Sequence, residues 1–218
     1  VRSKYVLATI NGSAAMQIAM IVVGIKRNDE VLMPSFNYIS NANAVKNCGA
    51  IPHFVDCEEE TLGICPKKLN DYLKKNSKIV GKNLINKKTK RVIRAIVPVY
   101  VYGHPPKMRE LITIAKKFNL LVLEDAAEAL GSYYSGKHAG TFGKIGTLSF
   151  NGNKIITTGG GGAILTNSKK LYVKIRKIIS NGRKPHRWKL VFDEIGYNYR
   201  LPSLNSAMGI SQIKNLNN

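Results

Sequence analysis

LLVLEDAAEALGS (residues 120–132) begins with an apolar run that ends at an acid, Asp125. A short apolar run of this kind predicts a strand that is buried on both faces. Such strands are typical of parallel sheets covered by helices, and ligands of these sheets collect at the carboxyl ends of the strands. The run therefore predicts an α/β fold and places a candidate ligand-binding acid at the end of one strand.

The rest of the chain alternates strand-like and helix-like segments. Strands are predicted at residues 5–10, 30–33, 50–55, 91–100 and 119–125. Helices are predicted after Ser13, over residues 41–47, 66–75, 108–118 and 168–179, and after Pro202. Ser13 is placed to cap the first helix, because a serine oxygen accepts a hydrogen bond from the first turn. Strand, helix, strand in this order predicts a mainly parallel central sheet with helices on both faces.

The composition is that of a folded chain. A length of 218 residues with 44% hydrophobic residues predicts one sizeable core, or one large domain with an incomplete companion. Three cysteines without a CxxC pair and four histidines without metal-ligand spacing favour a cytoplasmic protein with reduced thiols and no metal site. No apolar run approaches the ~20 residues that cross a bilayer, so no membrane partner is expected. The chain starts without methionine and stops inside a helical pattern, which predicts a fragment.

The net charge of +21 raises the question of a nucleic-acid partner. The densest basic segment, KKNSKIVGKNLINKKTKR (residues 74–91), is poor in aromatic residues that would stack on bases. The other lysines are scattered along the chain. We therefore expect a solvated insertion between a helix and a strand and no nucleic-acid partner, while an anionic substrate such as a nucleotide fits the charge.

A second stretch, SFNGNKIITTGGGG (residues 149–162), carries Lys154, 29 residues after Asp125. A lysine in a glycine-rich turn and an acid at a strand end suit pyridoxal 5'-phosphate (PLP). The lysine amine forms a Schiff base with the cofactor aldehyde, and the carboxylate keeps the pyridine nitrogen protonated. On the residues alone, Lys154 also fits a surface lysine and Asp125 a cap for a following helix. The spacing permits a PLP site without requiring one.

Seven motifs in a fixed order carry a more specific resemblance. They are NGSAAMQIAM, DEVLMPSFNYISNANAV, GAIPHFVDCEEETLGI, VPVYVYGHP, LEDAAEALGS, SFNGNKIITTGGGG and DEIGYNYRLPSLNSAMG. Together they cover nearly the whole chain and resemble the DegT/DnrJ/EryC1/StrS family of PLP-dependent nucleotide-sugar aminotransferases. GNKIITTGGGG, LINKKTKR and PHRW are similar to the LegC-like branch, which acts on 4-keto-6-deoxy sugars.

The resemblance implies a role for individual residues. Lys154 corresponds to the Schiff-base lysine, whose freed amine carries the proton between cofactor and sugar carbons. Relatives with histidine at that position dehydrate sugars, so the lysine favours transamination. Asp125 corresponds to the acid at the pyridinium nitrogen. The other implied cofactor contacts are Gly12, Ser13 and Ser149 at the phosphate, Tyr38 stacked on the ring, Glu128 near the ring hydroxyl, and Asn198 at the phosphate of a neighbouring subunit. Substrate contacts are implied for the segment of Arg183, Lys184, His186 and Arg187.

Each of these positions also has a simpler interpretation as ordinary structure. The alternatives are a plain strand-to-helix turn for Gly12 and Ser13, a core position for Tyr38, a solvent-facing position for Glu128, a turn cap for Asn198, a flexible linker for residues 159–162, and a solvated loop for residues 183–187. Only the resemblance separates the two sets of interpretations.

The resemblance implies an aspartate-aminotransferase-like large domain of PLP fold type I. Residues 1–181 would form this PLP-binding domain without its N-terminal segment. Residues 182–218 would form an active-site loop and the start of a truncated C-terminal region, with the small C-terminal domain largely absent.

The implied reaction moves an amino group from an amino acid, with glutamate expected, to a nucleotide-linked 4-keto-6-deoxy sugar for surface glycan or polysaccharide biosynthesis. The expected partners are the nucleotide-sugar substrate, the amino-acid donor and a second copy in a homodimer with shared active sites. Two alternatives stay open: a fold-type-I PLP enzyme that acts on amino acids, and an inactive or non-enzymatic basic fragment.

Overall fold

The computed structural model of the protein describes residues 1–184, 186–214 and 216. Its helices are α1 (Gly12–Val23), α2 (Ser40–Asn47), α3 (Pro66–Asn76), α4 (Met108–Lys117), α5 (Lys169–Ile178) and α6 (Ser203–Lys214). Its strands are β1 (Tyr5–Thr9), β2 (Glu30–Pro34), β3 (Ile51–Val55), β4 (Ser77–Val80), β5 (Asn83–Asn86), β6 (Val92–Ile96), β7 (Leu121–Asp125), β8 (Tyr133–Tyr134), β9 (Lys137–His138), β10 (Ile145–Ser149), β11 (Gly162–Thr166), β12 (Arg183–Lys184) and β13 (Val191–Phe192). Every predicted helix is present. Within the described residues, no helix combines the length and apolarity needed to span a bilayer.

The central sheet is mainly parallel, as predicted. Its main path runs in the order β1-β11-β10-β7-β6-β2-β3. Neighbouring strands from β10 to β3 are parallel, whereas β11 pairs antiparallel with both β10 and β1. The carboxyl ends of β7 and β10, at Asp125 and Ser149, therefore lie side by side in the middle of the sheet.

Helices cover both faces of this sheet. Helices α1, α2 and α5 supply one core, with Met16, Val45 and Ile175 buried in it. Helices α3 and α4 supply the core on the opposite face, with Leu69 and Leu111 buried. Burial of one such side chain contributes about 1.5–3 kcal/mol. The two cores fix the strands and leave their carboxyl ends as the place where a ligand can enter.

The first helix begins differently from the prediction. Asn11, and not Ser13, is the N-cap residue, because its side-chain oxygen accepts a hydrogen bond from the Ala14 N–H at 2.7 Å. Asparagine and serine cap helices about equally well, so the sequence Asn-Gly-Ser leaves the choice open. Ser13 consequently lies inside the first turn with its hydroxyl available to a ligand.

The basic segment of residues 74–91 is more than a solvated insertion. It contains the hairpin of β4 and β5, and β5 extends the sheet by pairing with β6. Leu84 of this hairpin is buried in the core, while Lys78 and Lys82 are exposed as expected. The strand predicted over residues 91–100 ends earlier, at Ile96. Pro98 follows shortly, and proline has no N–H to donate to a strand ladder.

A buried carboxylate fastens this hairpin to the sheet. Glu30, the first residue of β2, is 2% exposed. Its Oε2 accepts hydrogen bonds from His53 Nδ1 at 2.8 Å and Asn86 Nδ2 at 2.9 Å, and its Oε1 accepts one from the Thr89 hydroxyl. Burial alone would raise the pKa of Glu30, but these hydrogen bonds outweigh it and lower the pKa below its ordinary value.

We expect Glu30→Gln to lower the free energy of unfolding by about 1–3 kcal/mol at pH 7, because an amide cannot accept all three hydrogen bonds. The lowered pKa means that the stability supplied by Glu30 is present above its unfolded pKa of about 4.3 and is lost as pH falls through the folded pKa. Denaturant unfolding should therefore show a smaller difference between variant and wild type in acid. Glu59→Gln, at an exposed acid, is the control. A difference that stays constant from neutral pH into acid would contradict this assignment.

Candidate active site

Seven of the eight predicted cofactor residues, all except Asn198, line one cavity at the carboxyl ends of β7 and β10. The cavity has a volume of about 510 Å³. The residues that line it include Gly12, Ser13, Tyr38, Asp125, Glu128, Ser149 and Lys154. The start of α1, the loop after β2, the turn after β7 and the segment after β10 contribute these side chains. The motifs converge in space, and their contacts with a cofactor stay predictions.

Asp125 is held at the edge of the sheet by its backbone and its side chain. Its N–H donates to the Pro98 carbonyl at 2.9 Å, and its carbonyl accepts from the Tyr100 N–H at 3.0 Å. Its Oδ2 accepts from Asn41 Nδ2 at 2.6 Å, and its Oδ1 accepts from the Ala127 N–H at 3.1 Å. No helix follows Asp125 directly in the described chain, since β8 is the next element. The interpretation of Asp125 as a helix cap is therefore wrong.

Asp125 forms no ion pair with any of the described residues. Burial raises the pKa of Asp125 above its ordinary value, and the hydrogen bonds from Asn41 and Ala127 with the charge of Lys154 offset this only in part. A ligand that places a positive charge against the carboxylate would lower the pKa again. A buried acid of this kind at the edge of a cavity is typical of a functional site.

Lys154 points into the cavity and forms an ion pair with Glu128. The distance from Lys154 Nζ to Glu128 Oε1 is 2.8 Å, and the other Glu128 oxygen accepts from the Tyr102 N–H at 3.0 Å. The Lys154 side chain is 18% exposed, which does not fit a free surface lysine. Glu128 thus has both oxygens engaged and anchors the amine inside the cavity.

The loop that carries Tyr102 packs closely against Glu128. Tyr102 has a φ of 50°, in the left-handed region that is uncommon for residues other than glycine. Gly103 follows with a φ of 84°, and a Cβ there would lie 2.8 Å from the Glu128 carbonyl oxygen. Backbone strain of this kind clusters at functional sites. In this conformation the Tyr102 N–H donates to Glu128, which in turn holds Lys154.

The start of α1 forms a cradle for an anion. Within the described chain, the Gly12 and Ser13 N–H groups have no hydrogen-bond acceptor, and a helix N-terminus attracts negative charge. A Cβ on Gly12 would lie 2.9 Å from Ser149 Cβ, and one on Gly162 would lie 2.6 Å from the Asn11 carbonyl carbon. The glycines allow β10 and β11 to approach the helix start. Gly12, Ser13 and Ser149 line the same cavity, so two hydroxyls and two N–H groups are available there to a phosphate.

Tyr38 stands at the mouth of the cavity. It is 75% exposed, so the interpretation as a core tyrosine is wrong. Phe36 beside it also lines the cavity and is 49% exposed. The two rings offer apolar faces to a planar ligand, because aromatic rings prefer offset stacking.

Asn198 lies outside the cavity of the single chain. Its backbone pairs with Ser180, and the residue is exposed. The described residues supply no hydrogen bond to its side chain. A contact with the phosphate of a second subunit, as implied by the resemblance, stays a prediction.

The implied substrate-binding segment also lies outside the cavity. His186 Nδ1 accepts hydrogen bonds from the Trp188 and Lys189 N–H groups, and the Arg187 guanidinium lies 4.9 Å from the centre of the Trp188 ring. The motif PHRW begins at Pro185, which is outside the described residues. Roles for His186 and Arg187 in substrate binding stay predictions.

Asn41 and Tyr102 contact the candidate site residues Asp125 and Glu128, although no role was predicted for either from the sequence. Both belong to motifs that carry the family resemblance. On α2, Asn41 shares one face with Ala44 and Val45, which are buried. An asparagine at the apolar spacing of a short helix is a signal that the sequence does contain. The left-handed backbone of Tyr102 has only the following glycine as its signal.

A sequence model of the DegT/DnrJ/EryC1/StrS aminotransferase family matches residues 1–218. The GDP-perosamine synthase of Escherichia coli O157:H7 is 42% identical over 211 residues, which cover 97% of this chain and 53% of the relative. The "putative pyridoxal phosphate-dependent aminotransferase EpsN" of Bacillus subtilis is 36% identical over 97% of this chain and 52% of the relative. The chain spans about half the length of the curated relatives it matches.

Solved structures agree with this assignment. The crystal structure of a DegT DnrJ EryC1 StrS aminotransferase from Brucella abortus superposes with a TM-score of 0.87 at 28% identity, over 98% of this chain and 55% of that chain. This likeness confirms the predicted fold-type-I large domain. Matches of this kind do not single out the LegC-like branch, since the Escherichia coli relative is named a perosamine synthase. On sequence and on structure, the chain belongs to the DegT/DnrJ/EryC1/StrS aminotransferase family.

Proposed function

We propose that the protein to which this chain belongs transfers an amino group from an amino acid, with glutamate as the first candidate, to the keto carbon of a nucleotide-linked 4-keto-6-deoxy sugar. Its product would enter a surface glycan or polysaccharide. One observation carries the proposal: the Lys154 amine, the Asp125 carboxylate and the free N–H groups of α1 all face one cavity.

The residues of this cavity fit PLP in three respects. The cradle at Gly12, Ser13 and Ser149 suits a phosphate, and a side chain on Gly12 would fill it. The buried Asp125 carboxylate suits a protonated ring nitrogen. Lys154, which lines the same cavity, supplies an amine for the aldehyde. When bound, PLP accepts electrons from the carbon that carries the transferred nitrogen.

The residues of this chain then have distinct tasks. Lys154 Nζ takes a proton from the carbon of the donor and returns one to the sugar carbon. Glu128 Oε1 holds that amine at 2.8 Å and sets its position between these tasks. Asp125 stays ionised against the ring nitrogen and so keeps the cofactor an electron acceptor. Since the first product leaves before the sugar binds and the nitrogen stays on the enzyme in between, ping-pong kinetics follow.

The acceptor sugar is the finer part of the proposal. The name of the Escherichia coli relative points to a GDP-linked amino sugar, and this supports a nucleotide-linked keto sugar as acceptor. The LegC-like signature in GNKIITTGGGG and LINKKTKR also favours a 4-keto-6-deoxy sugar. Membership of that branch is part of the proposal.

The organisation of the whole protein is proposed on the same basis. Residues 1–181 would be the PLP-binding large domain, and residues 182–218 an active-site loop with the start of the C-terminal region. A homodimer would place Asn198 of one copy at the phosphate cradle of the other. The exposed position of Asn198 supports this arrangement.

The proposal is tested with the full-length protein. Nucleotide-linked 4-keto-6-deoxy sugars are incubated with glutamate and PLP, and the products are separated by mass spectrometry. The expected product gains one amino group in place of the keto oxygen. Conversion of amino acids with no conversion of any keto sugar would favour the alternative fold-type-I enzyme. Absence of a borohydride-fixed PLP adduct in folded dimer would exclude both.

The phosphate cradle gives a prediction about Gly12. Gly12→Ala should weaken PLP binding by about tenfold or more, because the added methyl group must displace Ser149 or the start of α1. The dissociation constant is measured by titrating the cofactor-free protein with PLP. Gly152→Ala is the control, since a Cβ there meets nothing within 4 Å. Equal affinities of the two variants would place the phosphate elsewhere.

A further inference from the structure

Asn41 has a buried polar side chain, and its one side-chain hydrogen bond within the described residues goes to Asp125. It is 1% exposed and lies in the first turn of α2. A buried amide is costly unless it is hydrogen-bonded. The Nδ2 of Asn41 lies 2.6 Å from Asp125 Oδ2, across 84 residues of sequence. The amide therefore donates a hydrogen bond to the acid of the candidate site.

The chemistry of the pair fixes its orientation. An ionised carboxylate only accepts hydrogen bonds, so the amide must present its NH₂ group and not its oxygen. The Ala127 N–H donates to the other carboxylate oxygen at 3.1 Å. With one donor on each oxygen, the carboxylate plane cannot rotate freely. Asp125 still lines the cavity, so the remaining lone pairs are available to a ligand.

Asn41 also links the acid to the aromatic side of the cavity. Its backbone N–H donates to the Tyr38 carbonyl at 3.3 Å. This hydrogen bond joins Tyr38, just before α2, to the first turn of the helix, while Asp125 belongs to β7. A shift of α2 would move the ring of Tyr38 and the donor of Asn41 together.

The electrostatic balance at Asp125 depends on Asn41. Burial raises the pKa of Asp125, and the hydrogen bond from Asn41 is the largest effect that opposes it. The charged groups that face Asp125 are Lys154, which favours the ionised form, and Glu128, which disfavours it. The two charges have opposite sign and lie 2.8 Å apart as a pair, so they partly cancel. The hydrogen bond from the neutral Asn41 amide is therefore the main interaction that favours the ionised form of Asp125.

We infer that Asn41 is a positioning residue, which orients the Asp125 carboxylate and keeps it ionised for the ring nitrogen of the cofactor. The inference rests on the proposed function for the identity of the ligand. The contact between Asn41 and Asp125 lies inside the described chain and is independent of it.

The first test uses cofactor-free, full-length protein labelled with ¹³C at the aspartate carboxyl groups. Asp125→Asn assigns the signal, and its pH titration is followed by NMR. Asn41→Leu should move the titration of Asp125 upward by about one pH unit or more, because a hydrogen bond to a charged group is lost. Asn41→Asp, which keeps the size and polarity of the side chain, should move it further. Asn43→Leu is the matched control on the exposed face of α2 and should leave it unchanged.

The second test separates positioning from a general structural role. The variants are titrated with PLP and with an analogue that has carbon in place of the ring nitrogen. Asn41→Leu should weaken PLP binding by about tenfold and leave the affinity for the analogue nearly unchanged. An equal loss for both ligands, or an unchanged titration of Asp125, would overturn the inference. Failure of the wild type to bind PLP would contradict the proposed function. The NMR titration of Asp125 would still decide the role of Asn41.

Discussion

Lys154→Arg is expected to lower the rate of amino transfer in the full-length protein by about three orders of magnitude or more. Arginine keeps the positive charge and can still pair with Glu128, whose carboxylate lies 2.8 Å from the lysine amine. It has no group that loses its proton near neutral pH, because the guanidinium stays protonated in proteins. The substitution therefore removes the nucleophile and the proton carrier together while preserving the ion pair.

The experiment compares turnover with covalent labelling. Steady-state rates are measured by mass spectrometry of the amino sugar, and borohydride reduction fixes PLP onto the lysine in the wild type only. Lys144→Arg is the control, at an exposed lysine on the loop before β10, and should keep the wild-type rate. A rate for Lys154→Arg within tenfold of the wild type would exclude Lys154 from the chemistry.

The parallel part of the sheet could be predicted because its strands are apolar and bounded by clear signals. The run that ends at Asp125 is one example, and β2 with all five residues buried is another. β10 and β11 lack such signals, since each contains a glycine and β11 begins at the end of a glycine run. Position 146 of β10 requires glycine, because a Cβ there would clash with the Gly140 backbone. A glycine that argues against a strand in the sequence is thus required by a close backbone contact in the fold.

The same distinction explains the site. Lys154 and Asp125 could be proposed from residue type and spacing, because PLP chemistry needs an amine and an acid. Their partners depend on the register of distant segments. The contact of Asn41 with Asp125 joins the first turn of α2 to the end of β7 across 84 residues, and that of Tyr102 with Glu128 depends on a left-handed backbone. Neither arrangement is encoded in a local pattern.

The basic hairpin shows how charge can conceal structure. Eighteen residues with frequent lysines predict a solvated segment, and most of those lysines are exposed. The alternating positions of β5 carry the structural information instead, with Leu84 and Asn86 buried. Asn86 reaches Glu30, at the start of β2. A few buried positions therefore decide the conformation of a segment whose composition is dominated by its surface.

Asp125→Asn is expected to lower the rate of amino transfer by about two to four orders of magnitude. A neutral amide does not hold the ring nitrogen protonated, so the cofactor becomes a weaker electron acceptor. The rate is measured as for Lys154→Arg, and PLP binding is measured in parallel. Asp71→Asn, at an exposed acid on α3, is the control.

The same substitution should change the pH dependence of stability in the cofactor-free protein. Burial raises the pKa of Asp125, so its contribution to stability is fully present below the unfolded pKa of about 3.9 and is lost as pH rises through the folded pKa. Asparagine has no such loss. The free energy of unfolding of Asp125→Asn should therefore increase relative to that of the wild type as pH rises from about 3 to 7. Saturating PLP should reverse this trend, because the ring nitrogen stabilises the ionised carboxylate. The opposite result, without PLP, would be a free energy of unfolding of the wild type that rises relative to that of the variant as pH rises. It would show that the ionised carboxylate stabilises the fold by itself and needs no cation from a ligand.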